Sequence, residues 1–213
     1  MRITVFGAAG SAGSRIVAEA LSRGHDTTAV VRDKMKFNHL PDEADKQVGD
    51  ASQVKDVIKF SEGQDLVITA TRPAEGQEHQ LLAITHALLN GIAQTKTRLL
   101  ALGGAGSLNV ADKQDTLVVD DLRYVSPEWR AIAVACVEQY EIYKANTLVD
   151  WSYLSPPALL LPGERTGKFR LGKDELLIDS QGQSRISVED LAIALIDEAE
   201  EYKHPQQRFT LAY

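Results

Sequence analysis

Short apolar runs along the chain alternate with longer segments in which apolar residues recur at helical spacing. Near-continuous apolar runs are typical of strands in a parallel sheet that is covered on both faces. The predicted strands cover residues 1–6, 27–31, 44–48, 65–70, 97–102 and 150–155, with a final strand at 208–212 that we expect at the sheet edge. Because strands and helices alternate, the pattern predicts an α/β fold, a Rossmann-type doubly wound parallel sheet.

Helix signals separate these strands. A first helix is expected to begin near Ser14, and a second to begin at the cap Ser52 and end at Gly63. Further helices are predicted over 77–90, 127–146 and 187–203, the last with Ser187 and Asp190 as its start box. Residues 161–179 predict an irregular or hairpin segment outside the parallel sheet. We therefore expect a single domain over 1–213, in which roughly 155–213 contribute a small C-terminal lobe that binds substrate.

The first strand runs directly into a glycine-rich turn, GAAGSAG, and then into a helix. Gly7, Gly10 and Gly13 have a spacing that allows a tight turn, close backbone approach to a pyrophosphate and close packing of helix on strand. The free N–H groups and the positive dipole end at the helix start favour an anion. We predict that these glycines, together with Ser11 and Ala12, bind a dinucleotide.

Other candidate contacts follow the later strands. The ligand of a doubly wound sheet lies outside the carboxyl ends of the strands, so residues after different strands gather around one crevice. Arg32 follows the second strand and favours the 2′-phosphate of NADP(H), whereas the adjacent Asp33 keeps NAD(H) as the alternative. The remaining predicted cofactor contacts are Asp50, Ala70, Thr71, Arg72, Gly103, Gly104, Ser155 and Pro156. Arg72 would steady a phosphate or an anionic substrate, or else form a surface ion pair.

Composition narrows the class of protein. A hydrophobic content of 44% and a charged content of 25% are typical of a globular protein, and the net charge of −7 argues against a general nucleic-acid partner. The single cysteine, Cys136, lies in an apolar run, which excludes a disulfide framework and indicates a buried thiol. No apolar run approaches the ~20 residues of a membrane span. Met1 leads directly into the first strand, so we expect no signal peptide. We expect a cytoplasmic monomer or homodimer with no membrane partner and no metal site.

Several segments together carry a resemblance to a known family. They are GAAGSAGSRI at 7–16, Arg32, GGAGSL at 103–108, DWSYLSPPALLLPGERTGKFRLG at 150–172 and RISVEDLAIALIDE at 185–198. The sequence resembles the atypical short-chain dehydrogenase/reductases and, more narrowly, the NmrA-like group labelled as NAD(P)H-flavin reductases. The likeness spans nearly the whole chain. It implies an NAD(P)-binding oxidoreductase fold.

The acid and base chemistry of typical short-chain dehydrogenases has no matching place in this sequence. Such enzymes use a Tyr-x-x-x-Lys helix, and Tyr140 and Lys144 have that spacing. Tyr140, however, lies only sixteen residues before Pro156, closer than the catalytic tyrosine of the family lies to the corresponding proline. Counting back from Pro156 by the family's distance reaches Trp129 and Arg130, and neither is a tyrosine. We therefore interpret Tyr140 and Lys144 as a solvated helix face and assign no catalytic residue. Ser107 would occupy the family's serine position or serve as a hydrogen-bonding loop residue.

Because no tyrosine is placed as a proton donor, the sequence favours a hydride acceptor that needs no acid catalysis by the protein. A flavin qualifies, because its ring accepts hydride directly when it is stacked on the nicotinamide. We expect an NADPH-dependent reductase of a small-molecule acceptor, with the flavin, or a quinone-like compound, as substrate rather than as bound cofactor. The alternative is a non-enzymatic sensor in which the redox state of the bound dinucleotide changes a protein contact. An epimerase or dehydratase is disfavoured because it needs positioned acid and base groups.

Overall fold

The apolar runs form strands in the computed structural model, which describes residues 1–213. In chain order the strands are β1 Arg2–Phe6, β2 Asp26–Val31, β3 Asp45–Val48, β4 Leu66–Thr69, β5 Arg98–Leu102, β6 Trp151–Ser155, β7 Leu159–Leu161, β8 Arg170–Gly172, β9 Arg185–Ser187 and β10 Gln207–Ala212. Eight of them form one sheet in the order β3-β2-β1-β4-β5-β6-β10-β8, and β7 pairs separately with β9. All neighbours in the large sheet are parallel except β8, which runs antiparallel to β10.

Five helices cover the two faces of this sheet. They are α1 Ser11–Ser22, α2 Val54–Ser61, α3 Gln80–Thr95, α4 Arg130–Ala145 and α5 Val188–Glu201. The helices α1 and α5 pack in one hydrophobic core, whereas α2, α3 and α4 contribute to a second core on the opposite face. Central strands are therefore buried on both sides, as in β4, where all four residues are buried. None of the helices is long and apolar enough to cross a bilayer.

The predicted Rossmann-type doubly wound sheet is confirmed. The chain moves outward from β1 through β2 to β3 and then returns to place β4 on the other side of β1. This reversal lies at the carboxyl ends of β1 and β4, where a doubly wound sheet opens a ligand crevice. The site described below lies at that edge.

Several element boundaries differ from the predicted ones. The first helix begins at Ser11 rather than near Ser14, because Gly10 already has extended backbone angles and acts as the cap residue. Ser52 does not cap α2; the helix follows Gln53, and the Ser52 N–H donates to the Asp50 carboxylate instead. The third helix starts later and continues to Thr95, where Lys96 enters the left-handed region and ends it.

The C-terminal part contains two further corrections. The last strand, β10, was expected at the sheet edge, but it lies between β6 and β8. The segment 161–179 was expected outside the parallel sheet, yet its β8 adds an antiparallel edge strand to β10. Only the short β7–β9 pair stands apart from the large sheet. A role of this part in substrate binding stays a prediction.

The segment 162–168 contacts the start of α5. Asp190, in the first turn of α5, accepts hydrogen bonds from the N–H groups of Thr166 and Gly167 at 2.8 and 2.9 Å. Ser187 caps the same helix by accepting from the Asp190 N–H, as predicted, and its hydroxyl donates to the Glu164 carbonyl. These hydrogen bonds hold the irregular segment 162–168, here called the strap, against the start of α5. All seven residues of the strap are exposed, so these polar contacts define its course.

Candidate functional site

The turn after β1 requires glycine at two positions. Gly7 has a φ of +78°, and a Cβ there would lie 2.6 Å from the Ala70 carbonyl oxygen. A Cβ on Gly13 would lie 2.1 Å from the Gly7 carbonyl oxygen, closer than any relaxed contact. Gly10 is less constrained, with the nearest atom at 3.2 Å. The turn therefore folds tightly between α1 and the end of β4, leaving its backbone accessible to a ligand.

The start of α1 has the character of an anion site. Its cap residue Gly10 makes no side-chain hydrogen bond to the helix, and the first turn holds no acidic residue. Ser11 is exposed and Ala12 partly exposed at this end. The first N–H groups of a helix need partners, and with the helix dipole they favour negative charge. This end fits the pyrophosphate of a dinucleotide.

Two strand ends meet next to this turn. The Ala70 N–H donates to the Phe6 carbonyl, and the Gly103 N–H donates to the Leu154 carbonyl, each at 2.9 Å. A Cβ on Gly103 would lie 1.9 Å from the Tyr153 hydroxyl oxygen, and one on Gly104 would lie 2.7 Å from the Cys136 sulfur. Packing alone therefore demands glycine at 103 and 104, whatever these residues contact in a ligand.

Ser155, at the carboxyl end of β6, carries an unsatisfied polar group. Its hydroxyl oxygen is buried and has no hydrogen-bond partner, and the same holds for Thr210, its register partner on β10. A buried hydroxyl without a partner carries a free-energy cost, so a polar ligand group that reached Ser155 would remove that cost. Pro156, the next residue, is also buried. The glycine turn, the open helix start and this orphan hydroxyl together fit a dinucleotide.

Arg32 and Asp33 have different environments. Arg32 is exposed directly after β2. The Asp33 carboxylate accepts a hydrogen bond from the Met35 N–H at 2.9 Å and caps the short 3-10 turn Lys34–His39. Asp50, just after the neighbouring strand β3, is engaged in a similar way: its carboxylate accepts from the Ser52 N–H, while its own N–H donates to Asp56. The Arg32 guanidinium is therefore unpaired, whereas the carboxylates of Asp33 and Asp50 each accept a hydrogen bond from a nearby backbone N–H.

Arg72 and Thr71 continue the crevice beyond β4. The Thr71 hydroxyl lies 3.0 Å from that of Thr69. Arg72 is exposed, and its guanidinium carbon lies 5.1 Å from the ring centroid of Trp129, just before α4. Arg72 takes part in no salt bridge, so the alternative of a surface ion pair is wrong. In the sequence, Trp129 is singled out only by its distance from Pro156, and nothing there predicts its contact with Arg72.

The interpretation of Tyr140 as a solvated helix face is wrong. Its ring is half-buried, with its centroid 5.1 Å from that of Tyr153 and the Arg208 guanidinium 4.2 Å from its centre. Burial, more than any nearby charge, raises the pKa of Tyr140, so the phenol is a poorer proton donor than a free tyrosine. Lys144 is exposed and pairs with Glu141 at 2.7 Å. The spacing exists without the lowered pKa that a catalytic tyrosine needs.

Ser107 is also engaged. Arg208 donates to both its carbonyl and its hydroxyl oxygen at 2.9 Å. Arg208 is buried and also donates to Asp174, so it anchors the turn after β5 to β10. Sequence patterns did not single out Arg208, because it occupies an apolar-looking strand position. Ser107 thus matches the hydrogen-bonding loop residue that was one of its two expected roles.

Cys136 lies beneath the 103–104 turn and is buried, as predicted. Burial raises the pKa of the Cys136 thiol from 9.0 to about 11, while the charge of Arg72 acts weakly in the opposite direction. A thiol with this pKa is almost entirely protonated near neutral pH, which argues against a nucleophile.

Similarity to known proteins agrees with this geometry. Residues 7–199 match the model of a family described as NAD(P)H-binding. The chain is 37% identical over 215 residues to the protein YwnB of Bacillus subtilis, covering 99% of this chain and 98% of YwnB. A solved structure from Bacteroides thetaiotaomicron, named a “putative epimerase”, is 36% identical with a TM-score of 0.91, covering 100% of this chain and 96% of the other.

A second solved structure comes from Streptococcus pneumoniae and is named a “putative NADH-flavin reductase”. It is 29% identical with a TM-score of 0.87, covering 100% of this chain and 99% of the other. Both similarities fit the resemblance to atypical, NmrA-like short-chain dehydrogenase/reductases. The family model spans most of the chain and includes the glycine turn and α5. The chain belongs to the NAD(P)H-binding family.

Proposed function

We propose that the protein is an NADPH-dependent reductase that passes hydride to a flavin or a small quinone-like acceptor. The observation that carries the proposal is a contrast within one crevice. The dinucleotide end is built with a strict glycine turn and an uncapped helix start, whereas the two candidate acid and base residues are unsuited to that chemistry: burial raises the pKa of Tyr140, and the Ser107 hydroxyl is bonded to Arg208. Such a site suits a reaction in which positioning does most of the work.

The residues of the crevice divide the binding task. Gly7, Gly10 and the first turn of α1 would hold the pyrophosphate, and Arg32 would pair with the 2′-phosphate. Ser155 would offer its unpartnered hydroxyl to a polar group near the nicotinamide. The chemistry that NADPH would supply when held there is a hydride, that is two electrons and one proton, and the acceptor would take its second proton from solvent.

An epimerase is disfavoured on the same observations, although one similar structure bears that name. Epimerisation needs a positioned base and acid. Tyr140 has a raised pKa, and Ser107 accepts hydrogen bonds from Arg208.

The proposal is tested by following NADPH oxidation by the purified protein with FMN, FAD, riboflavin or a small quinone. We expect turnover above the no-enzyme background with at least one acceptor, and no flavin in the spectrum of the protein as isolated. A parallel titration of NADPH fluorescence measures binding. Tight NADPH binding with no turnover of any acceptor would reject the reductase and support the redox sensor.

A further inference from the structure

Trp129 is an exposed aromatic side chain at the mouth of the crevice. It is 55% exposed, whereas the second tryptophan of the chain, Trp151, is 3% exposed and packs against Tyr143. Exposed tryptophans are uncommon away from binding surfaces, because the large apolar ring gains free energy when a partner covers it. Packing within the chain therefore does not explain why a tryptophan stands at position 129.

The surroundings of Trp129 place it at the carboxyl ends of the central strands. Trp129 directly precedes α4, and this helix packs on the turn after β5, where a Cβ on Gly106 would lie 2.6 Å from the Ala133 carbonyl oxygen. Arg72, which covers part of the indole, follows β4. The tryptophan and the arginine thus bridge the connections that follow two neighbouring central strands, β4 and β5.

The charge of Arg72 is available to a ligand. Its guanidinium lies against the indole and takes part in none of the salt bridges of the structure. By contrast Arg130, the neighbour of Trp129, is engaged with Asp120 and with the Val119 carbonyl. Arginine binds phosphate through paired N–H donors, and an adjacent aromatic face accepts a planar ring.

We infer that Trp129 and Arg72 form the acceptor subsite, in which the indole stacks on the isoalloxazine ring and the guanidinium binds the phosphate of FMN. This inference rests on the proposed reductase function and adds to it the substrate class and the residues that select it. Trp129 acts on every flavin, because all carry the ring. Arg72 acts on FMN and much less on riboflavin, which lacks the phosphate.

The test compares wild type with Trp129→Leu, Trp129→Phe and Arg72→Met. Tyr202→Leu is the matched control, since Tyr202 is 46% exposed and also lies under an arginine, Arg98, but at the amino end of β5, away from the crevice. The dissociation constants of FMN and riboflavin are measured by equilibrium dialysis with saturating NADP⁺, which permits no turnover. The NADP⁺ dissociation constant and the KM and kcat for each flavin are measured on the same proteins.

We expect Trp129→Leu to weaken both flavins about tenfold and Trp129→Phe to restore most of the loss. Arg72→Met should weaken FMN about tenfold and riboflavin less than about twofold. Tyr202→Leu should change neither, and NADP⁺ binding should stay constant in Tyr202→Leu and in both Trp129 variants. The flavin KM should rise while kcat at saturation stays nearly the same.

The outcomes separate the two proposals. If wild type binds and reduces flavins but Trp129→Leu and Arg72→Met leave both dissociation constants unchanged, the subsite is wrong and the reductase stands. Equal loss of FMN and riboflavin in Arg72→Met would overturn the phosphate role. If wild type reduces a small quinone but binds no flavin, only the subsite is wrong. If it reduces neither a flavin nor a quinone, both proposals fall.

Discussion

Arg208 donates two hydrogen bonds to Ser107, one to its carbonyl and one to its hydroxyl oxygen, across 101 residues of sequence. The contact joins β10 to the turn that follows β5, where the crevice opens. A hydrogen bond to a charged group contributes about 1.5–3 kcal/mol, and removing the arginine leaves the buried Ser107 carbonyl without that partner. The stability of this edge of the site therefore depends on a residue near the end of the chain.

We predict that Arg208→Met lowers the free energy of unfolding by about 2–3 kcal/mol. The measurement is urea denaturation followed by circular dichroism. Arg2→Met is the control, because its pair with Asp65 is 3.8 Å long and exposed, and it should cost less than about 0.5 kcal/mol. Equal losses in the two variants would show that the Ser107 contact adds nothing.

Tyr140→Phe should leave turnover within about twofold, since the ring contacts with Tyr153 and Arg208 remain. The pH–rate profile should not move, because the raised pKa of Tyr140 keeps the phenol outside acid catalysis. Tyr140→Leu, which removes the ring, should instead lower stability. A hundredfold fall in turnover for Tyr140→Phe at unchanged stability would restore the catalytic tyrosine.

Arg32→Ala should weaken NADPH by roughly ten- to over a hundredfold, the equivalent of about 1.5–3 kcal/mol for a charge-assisted hydrogen bond. NADH lacks the 2′-phosphate and should change far less. Dissociation constants for both nucleotides are measured on wild type and variant at one ionic strength. Equal losses would mean that Arg32 supports the fold or the adenine instead.

Gly13→Ala should impair both folding and dinucleotide binding, because the new Cβ would lie 2.1 Å from the Gly7 carbonyl oxygen. Gly10→Ala is the matched variant, with its nearest atom at 3.2 Å, and should be milder. Thermal unfolding with and without NADPH compares them. The reverse order of severity would contradict the geometry of the turn.

Cys136 predicts a loss of stability at alkaline pH. Its folded pKa, about 11, lies above that of an unfolded thiol, so the folded state holds its proton longer. The protonated thiol contributes fully to the free energy of unfolding below the unfolded pKa. As pH rises from roughly 9 to 11, the free energy of unfolding falls by about 2–3 kcal/mol. Cys136→Ala should lose less over the same window, measured by urea denaturation at each pH. Parallel curves for the two proteins would reject the buried thiol as the cause.

Much of the fold was determined by local sequence. The β1–turn–α1 unit follows from an apolar run, the glycine spacing and the helix that begins at Ser11, all within neighbouring residues. Strands such as β4 are apolar throughout because both sheet faces are covered, and that pattern alone predicts the parallel sheet. The close approach of Gly13 to Gly7 is likewise a local contact.

The tertiary structure decided what depends on distant partners. Strand β8 has only three residues and no buried apolar pattern, so its pairing with β10 depends on where the strap 162–168 delivers it. Tyr140 is half-buried because Tyr153 and Arg208, on two different strands, meet its ring. Helical periodicity cannot predict such a contact, since it records only the spacing within one helix. Arg72 meets Trp129 for the same reason: the sheet brings together chain segments that local sequence leaves far apart.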